Sequence, residues 1–183
     1  TRLAGANAPN GWQGGLPVAY HVGPGPAEAT MTVSTEYKVR TIWNVIAMLP
    51  GAVEPDRWVM LGNHRDAWVH GAVDPGSGTA ATLETCRALG KAAKDGWKPR
   101  RTIVYASWDA EEYGLVGSTE WAEQFAADLD RKAAMMLNVD SAVSGPELTA
   151  AGVPSLRDLV LDAAATVSDA RSGRPLRDVW LAS

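Results

Sequence analysis

Cysteine occurs once, at Cys86, which rules out any intrachain disulfide. Its place in a segment with helical periodicity marks it as a small buried side chain rather than a nucleophile. Positive charge is not concentrated anywhere. Lys and Arg number 17 against 21 Asp and Glu, a net charge of −4, and the one basic run, Lys98-Pro99-Arg100-Arg101, is short. Phosphate binding needs clustered cations, so no nucleic-acid partner is expected. No apolar run approaches the roughly 18 residues that cross a bilayer. No basic stretch followed by an apolar one opens the chain. Neither a membrane segment nor a signal is therefore expected within it. Long polar tracts and internal repeats are also missing. What is present is 183 residues, 46% of them hydrophobic, enough for one globular domain with a sizeable core.

The first thirty residues are dense in Gly, Pro and Asn, with only Leu16 to Val22 reading as a strand. Alternation of Met31, Val33, Thr35 and Tyr37 with polar or small residues predicts a strand over about 28–38, paired antiparallel with a second over 40–49. Glu54-Pro55-Asp56 is a turn signal, and Trp58-Val59-Met60-Leu61-Gly62 after it reads as a buried strand. Ala80, Leu83, Cys86, Leu89 and Ala93 recur at helical spacing over 79–94. Further strands are expected over 101–108 and 133–139, and helices over 117–129 and 155–166. Alternating strands and helices predict an α/β fold, a mostly parallel mixed sheet flanked by helices. Chemistry in such sheets sits in loops beyond the carboxyl ends of the strands.

Three strand candidates run into acidic or imidazole side chains there: His64-Arg65-Asp66 after the first, Asp109-Ala110-Glu111-Glu112 after the second, and Asp140 after the third. The loop following the first adds Asp74. Carboxylates brought together repel unless a cation lies between them. One His among several carboxylates is the mixed donor set of zinc and related ions rather than of calcium or magnesium. Asp66 is placed to accept a hydrogen bond from the His64 nitrogen facing away from a metal. The neighbours Glu111 and Glu112 point in different directions from a turn, so one can bind metal while the other serves as general base.

The segments LGNHRDAWVHGAVDPGSG, RRTIVYASWDAEEYGLVGSTEWAE and LNVDSAVSG closely resemble, in order and spacing, the peptidase domain of the glutamate carboxypeptidase II group. These enzymes are di-zinc exopeptidases related to the transferrin receptors and to zinc aminopeptidases. VGPG near the start and NVIAMLPGAVEPDR extend the resemblance over nearly the whole chain. It implies a zinc-exopeptidase-like (phosphorylase/hydrolase-like) fold, present here incompletely. Residues 1–38 would be the tail of an inserted apical domain and 39–183 a partial zinc peptidase domain.

Position by position, the resemblance implies that His64 and Asp140 ligate one zinc, Glu112 the other, and that Asp74 bridges both. Glu111 would be the catalytic base. Asp74-Pro75 would carry the family's cis bond, Leu115 part of the wall around the substrate's C-terminal residue, and Glu120 with Glu123 a structural calcium site. The i, i+3 spacing of that last pair fits a solvated helix face equally well. The expected partner is a peptide, and the whole protein is expected to be a homodimer. A location outside the cell, in the periplasm or on a membrane-anchored ectodomain follows from the same resemblance.

The family's second zinc takes a further histidine downstream of Asp140, and the sequence has none after His70. His70 and His21 are poor substitutes. The expectation is two zinc ions in the whole protein, at most one tight site in this chain, and no hydrolysis by the chain alone. The arginines behind glutamate preference have no match in 144–151. Two other readings stand beside the carboxypeptidase-like one: a non-catalytic binding and dimerisation domain of the transferrin-receptor type, and a zinc aminopeptidase.

Overall fold

The computed structural model describes residues 5–26 and 28–182. Positions 1–4, 27 and 183, which fall within the expected segments 1–38 and 39–183, lie outside the described residues. The chain divides into two compact units, Thr1–Arg40 and Thr41–Ser183.

In the first unit, β1 (Ala6–Asn7) pairs antiparallel with β2 (His21–Val22), so the strand expected over Leu16 to Val22 shrinks to its last two residues. The strand expected over 28–38 does not form. Met31 and Tyr37 on its apolar face are 85% and 93% exposed. Alternation produces a strand only where a neighbour supplies hydrogen bonds and an apolar surface, and among the described residues this segment has neither.

The second unit holds a four-stranded sheet built from β3 (Val45–Leu49), β4 (Glu54–His64), β5 (Arg101–Trp108) and β6 (Ala133–Asn138), in the order β3-β5-β4-β6. β4 pairs parallel with both β5 and β6, while β3 runs antiparallel along β5. β3 is thus the second of the two expected N-terminal strands, shortened and with a different partner. The expected turn at Glu54-Pro55-Asp56 is instead the start of β4, where the register against β5 shifts between Glu54 and Trp58. Thr102 receives that irregular stretch, its hydroxyl donating to the Pro55 carbonyl at 2.7 Å.

α1 (Gly76–Lys94) connects β4 to β5; α2 (Val116–Gln124) and α3 (Ala126–Lys132) connect β5 to β6. The single helix expected over 117–129 is therefore two, broken at Phe125. A one-turn 3-10 segment (Pro154–Leu156) leads into α4 (Arg157–Thr166), and α5 (Leu176–Trp180) is a short helix that the sequence pattern did not suggest. Met60, Val104, Ala106 and Trp108 form the buried centre of the sheet.

Two crossovers leave the sheet in opposite directions from its centre: β4 to β5 on one side, and β5 over β4 to β6 on the other. Right-handed connections then open a crevice at the carboxyl end of β4. The inner face of α1 differs from the one its apolar spacing suggested. Gly78 and Thr82 are buried, whereas Leu83 is about half exposed. The reason is proximity. A Cβ at position 78 would stand 2.7 Å from the Asp140 carbonyl carbon and nearer still to the carbonyl oxygens of Val139 and Asp140, so only glycine lets the helix approach the end of β6 this closely.

Candidate metal centre

His64 is the last residue of β4 and is 3% exposed. Its Nε2 lies 3.0 Å from Asp140 Oδ1, 3.1 Å from Asp74 Oδ1 and 3.8 Å from Glu111 Oε2. Asp140 stands just beyond β6, Asp74 just before the cis Asp74-Pro75 bond that precedes α1, and Glu111 in the turn after β5. Parallel pairing of β5 and β6 on either side of β4 is what brings these separate segments to one edge.

A buried hydrogen-bond network fixes that edge. Asn63 is 1% exposed; its Nδ2 donates to the Pro75 carbonyl at 3.2 Å and to Thr79 Oγ1 at 3.0 Å, while its Oδ1 accepts the His64 N–H at 2.8 Å. Thr79 Oγ1 donates onward to the His64 carbonyl at 3.1 Å. The end of β4 is thereby tied to the first turn of α1, which fixes His64 relative to Asp74. Nothing in the spacing of the sequence singled out Asn63, Thr79 or Gly78. For Asn63 and Gly78 the one available signal was their position inside the motif around His64; Thr79 lies just beyond it.

Three consecutive backbone N–H groups of the turn after β5 each rest on an aspartate. Ala110 donates to Asp109 Oδ1 at 2.9 Å, Glu111 to Asp66 Oδ1 at 3.0 Å and Glu112 to Asp66 Oδ2 at 3.1 Å. Asp66 thus spends its carboxylate on the acidic pair. Its Oδ1 is 3.5 Å from His64 Nδ1, an ion-pair distance, and that buried nitrogen makes no hydrogen bond. Ala110 and Leu115 flank the pair with φ of 53° and 60°. Holding a non-glycine residue in this left-handed region costs on the order of 1 kcal/mol or more.

The two acidic neighbours do diverge. Glu111 faces His64, whereas Glu112 Oε1 accepts the Trp68 N–H at 3.2 Å. Trp68 and Tyr113 pack against each other nearby, tilted by 54° with ring centroids 5.3 Å apart. A cavity of about 500 Å³ opens beside the cluster, with Glu111, His64 and Asp140 at its polar end and Leu115, Trp108, Trp121 and Met136 among its apolar lining. Glu120 and Glu123 lie exposed on α2 and join no group of three metal-competent side chains among the described residues. His70 is exposed and outside the cluster.

Electrostatics follow from this crowding. Burial pushes the Glu111 carboxyl above its ordinary range; His64 opposes that, and the charges of Asp140, Glu112 and Asp66 add to it. Burial works against protonation of His64, but the Asp140 hydrogen bond and the charges of Asp140, Glu111 and Asp66 outweigh it, so the imidazole is held above its usual value. The site is short of positive charge.

His64, Asp74 and Asp140 each offer one ligand atom, all within 4.8 Å of one another. Two ligand atoms about 2 Å from a tetrahedral zinc stand roughly 3.3 Å apart. The observed 3.0 and 3.1 Å contacts to Nε2 sit close to that spacing, so the donor set fits such an ion in both chemistry and reach.

The sequence pattern that defines Peptidase family M28 matches residues 44–173, which hold every one of these side chains. The chain belongs to peptidase family M28. Family M28 is zinc-dependent, in accord with the donor set. The chain is 46% identical to Aminopeptidase NAALADL1 of Mus musculus over 98% of its own length and 26% of that protein. It is 49% identical to the Probable glutamate carboxypeptidase LAMP1 of Arabidopsis thaliana, over 90% of this chain and 24% of the relative. A solved peptidase M28 precursor from Shewanella amazonensis aligns with a TM-score of 0.47 and 27% identity, covering 76% of this chain and 33% of that one. The M28 chain described here therefore spans about a quarter of the length of these curated relatives.

Proposed function

We propose that the protein carrying this chain is a zinc-dependent exopeptidase that removes a terminal residue from a peptide through a pair of co-catalytic zinc ions. The observation that carries this reading is the convergence of His64, Asp74 and Asp140, with the Glu111 carboxylate 3.8 Å from the same imidazole nitrogen. Bound zinc supplies Lewis acidity, polarising a scissile carbonyl and easing the ionisation of water.

His64, Asp140 and the half-exposed Asp74 would hold one ion, and Glu112, with Asp74 at the rim, would supply carboxylate ligands for the other. Glu111 is the base. Its carboxylate, 3.8 Å from His64 Nε2 at the polar end of the cavity, is placed to accept a proton from water and return it to the leaving amine. The apolar wall beyond Glu111, which includes Leu115, would receive substrate.

A binding module of the transferrin-receptor type has no use for these ligands, and the joint presence of His64, Asp74, Glu112 and Asp140, with Glu111 beside them, supports the enzymatic reading. Between amino- and carboxypeptidase, the names of the relatives support both: the mouse protein is called an aminopeptidase, the Arabidopsis one a probable glutamate carboxypeptidase. The motif DAEEYGLVGSTEWAE favours the carboxypeptidase-like branch. Dipeptides blocked at either end, offered to the full-length protein with zinc, separate the two. Cleavage only when the C-terminus is free supports the carboxypeptidase, cleavage only when the N-terminus is free the aminopeptidase, and no cleavage of any unblocked dipeptide refutes the exopeptidase.

A further inference from the structure

The Glu111 carboxylate points at His64, which attracts it, from among Asp140, Glu112 and Asp66, which repel it. Its direction is set by the backbone at 110–112, and that backbone is fastened from behind by two residues outside the cavity lining, Arg65 and Asp109.

Arg65 follows His64, and Asp109 follows the last residue of β5. The Arg65 guanidinium donates from Nη1 to the Ser107 carbonyl at 3.0 Å, and from Nη2 to Asp109 Oδ2 at 3.0 Å and to the Trp43 carbonyl. Asp109 Oδ2 also accepts the Trp43 N–H at 2.9 Å, leaving Oδ1 for the Ala110 N–H. The Asp109 main chain is pinned as well: its N–H donates to Asn44 Oδ1 at 3.1 Å and its carbonyl accepts the Gly117 N–H at 3.1 Å. The segment before β3, the ends of β4 and β5, and the start of α2 therefore meet at one ion pair. Next to it stands Ala110 at φ 53°, immediately before Glu111.

We propose that the Arg65–Asp109 ion pair is a positioning device for Glu111, holding Ala110 in its left-handed conformation so that the Glu111 carboxylate is aimed at His64. The inference rests on the reading of Glu111 as the general base. Neither Arg65 nor Asp109 touches substrate; both act through the turn.

The test compares Asp109→Asn, Arg65→Met and the double variant Asp109→Asn/Ala110→Gly in the full-length protein. Glycine adopts the left-handed region without a clasp, so it should restore what the loosened turn loses. Asp109→Asn and Arg65→Met are expected to lower kcat about 10- to 100-fold, the scale of a misplaced catalytic group. KM and zinc content should stay near wild type, and the double variant should recover most of the lost kcat. In parallel, amide exchange at Ala110, Glu111 and Glu112 should quicken at least about tenfold in Asp109→Asn, with β4 and β5 unchanged.

A joint fall of kcat, zinc content and β5 protection would mean a general structural role and would overturn the proposal. Faster exchange with unchanged kcat, or a failure of Ala110→Gly to rescue, would overturn it too. Should the wild-type protein cleave no peptide, the reading of Glu111 as base falls with it, and exchange at 110–112 alone decides whether the ion pair holds the turn.

Discussion

Gly78 sits where α1 meets the end of β6, and replacing it with alanine tests whether that close approach builds the metal centre. The added methyl would lie 2.7 Å from the Asp140 carbonyl carbon and closer to two carbonyl oxygens, all of them backbone atoms that cannot rotate aside. Ordinary carbon contacts are about 3.5–4.0 Å, so relief needs a shift of about 1 Å or more between helix and strand. Overpacking of this kind costs about 1–3 kcal/mol, and contact with backbone puts Gly78→Ala in the upper part of that range. For a unit of this size that lowers the melting temperature by about 5–10 °C. The shift also separates Asp140, carried by β6, from Asp74, which precedes the same helix. Site geometries tolerate about 0.5 Å, so zinc affinity should fall by at least about 10- to 100-fold. Thermal unfolding and calorimetric zinc titration read the two effects. Wild-type zinc affinity in a Gly78→Ala protein, whatever its melting point, would refute the claim that this contact sets the ligand spacing.

Glu111→Gln should keep zinc and lose turnover by roughly 10²- to 10⁴-fold, whereas Glu112→Gln should lose metal; metal analysis beside steady-state kinetics separates the two roles. Zinc titration of the chain itself should show at most one tight site, held by His64, Asp74 and Asp140, and two equally tight sites would contradict the assignment of ligands. In the metal-free protein His64 titrates above its ordinary value, so its contribution to stability is fully present below the unfolded value of about 6.5 and is lost as pH rises through the folded one. Saturating zinc should reverse the sign, because the ion binds the neutral imidazole and displaces the proton; melting curves with chelator and with zinc across pH 5 to about 9 show whether it does. Asn63→Leu should lower zinc affinity without removing any ligand side chain, since it cuts the bonds from the end of β4 to Pro75 and Thr79 and the one accepted from the His64 N–H.

The chemistry of this chain was legible in one dimension because strand-terminal side chains keep their neighbours. His64-Arg65-Asp66, Asp109 to Glu112 and Asp140 each follow an apolar run that forms a strand, buried along β5 and the second half of β4 and more exposed in β6. The mixed, mostly parallel sheet followed from the alternation of those runs with helical spacing. The N-terminal alternation at 30–38 failed because a strand needs a partner, and periodicity carries no information about whether one is near. Tertiary structure alone decided the rest, through contacts between residues far apart in the chain. Asp66 stays 3.5 Å from the imidazole and also accepts the backbone N–H groups of Glu111 and Glu112, 45 and 46 positions away, because the β4–β5 pairing places that turn against it. Arg65 found Asp109 across the same pair of strands. The need for glycine at 78 arose only from the carbonyls of Val139 and Asp140, which the order of β4 and β6 brings to the first turn of α1. Residue type and local period are properties of the sequence; the distance between two loops is a property of the sheet that carries them.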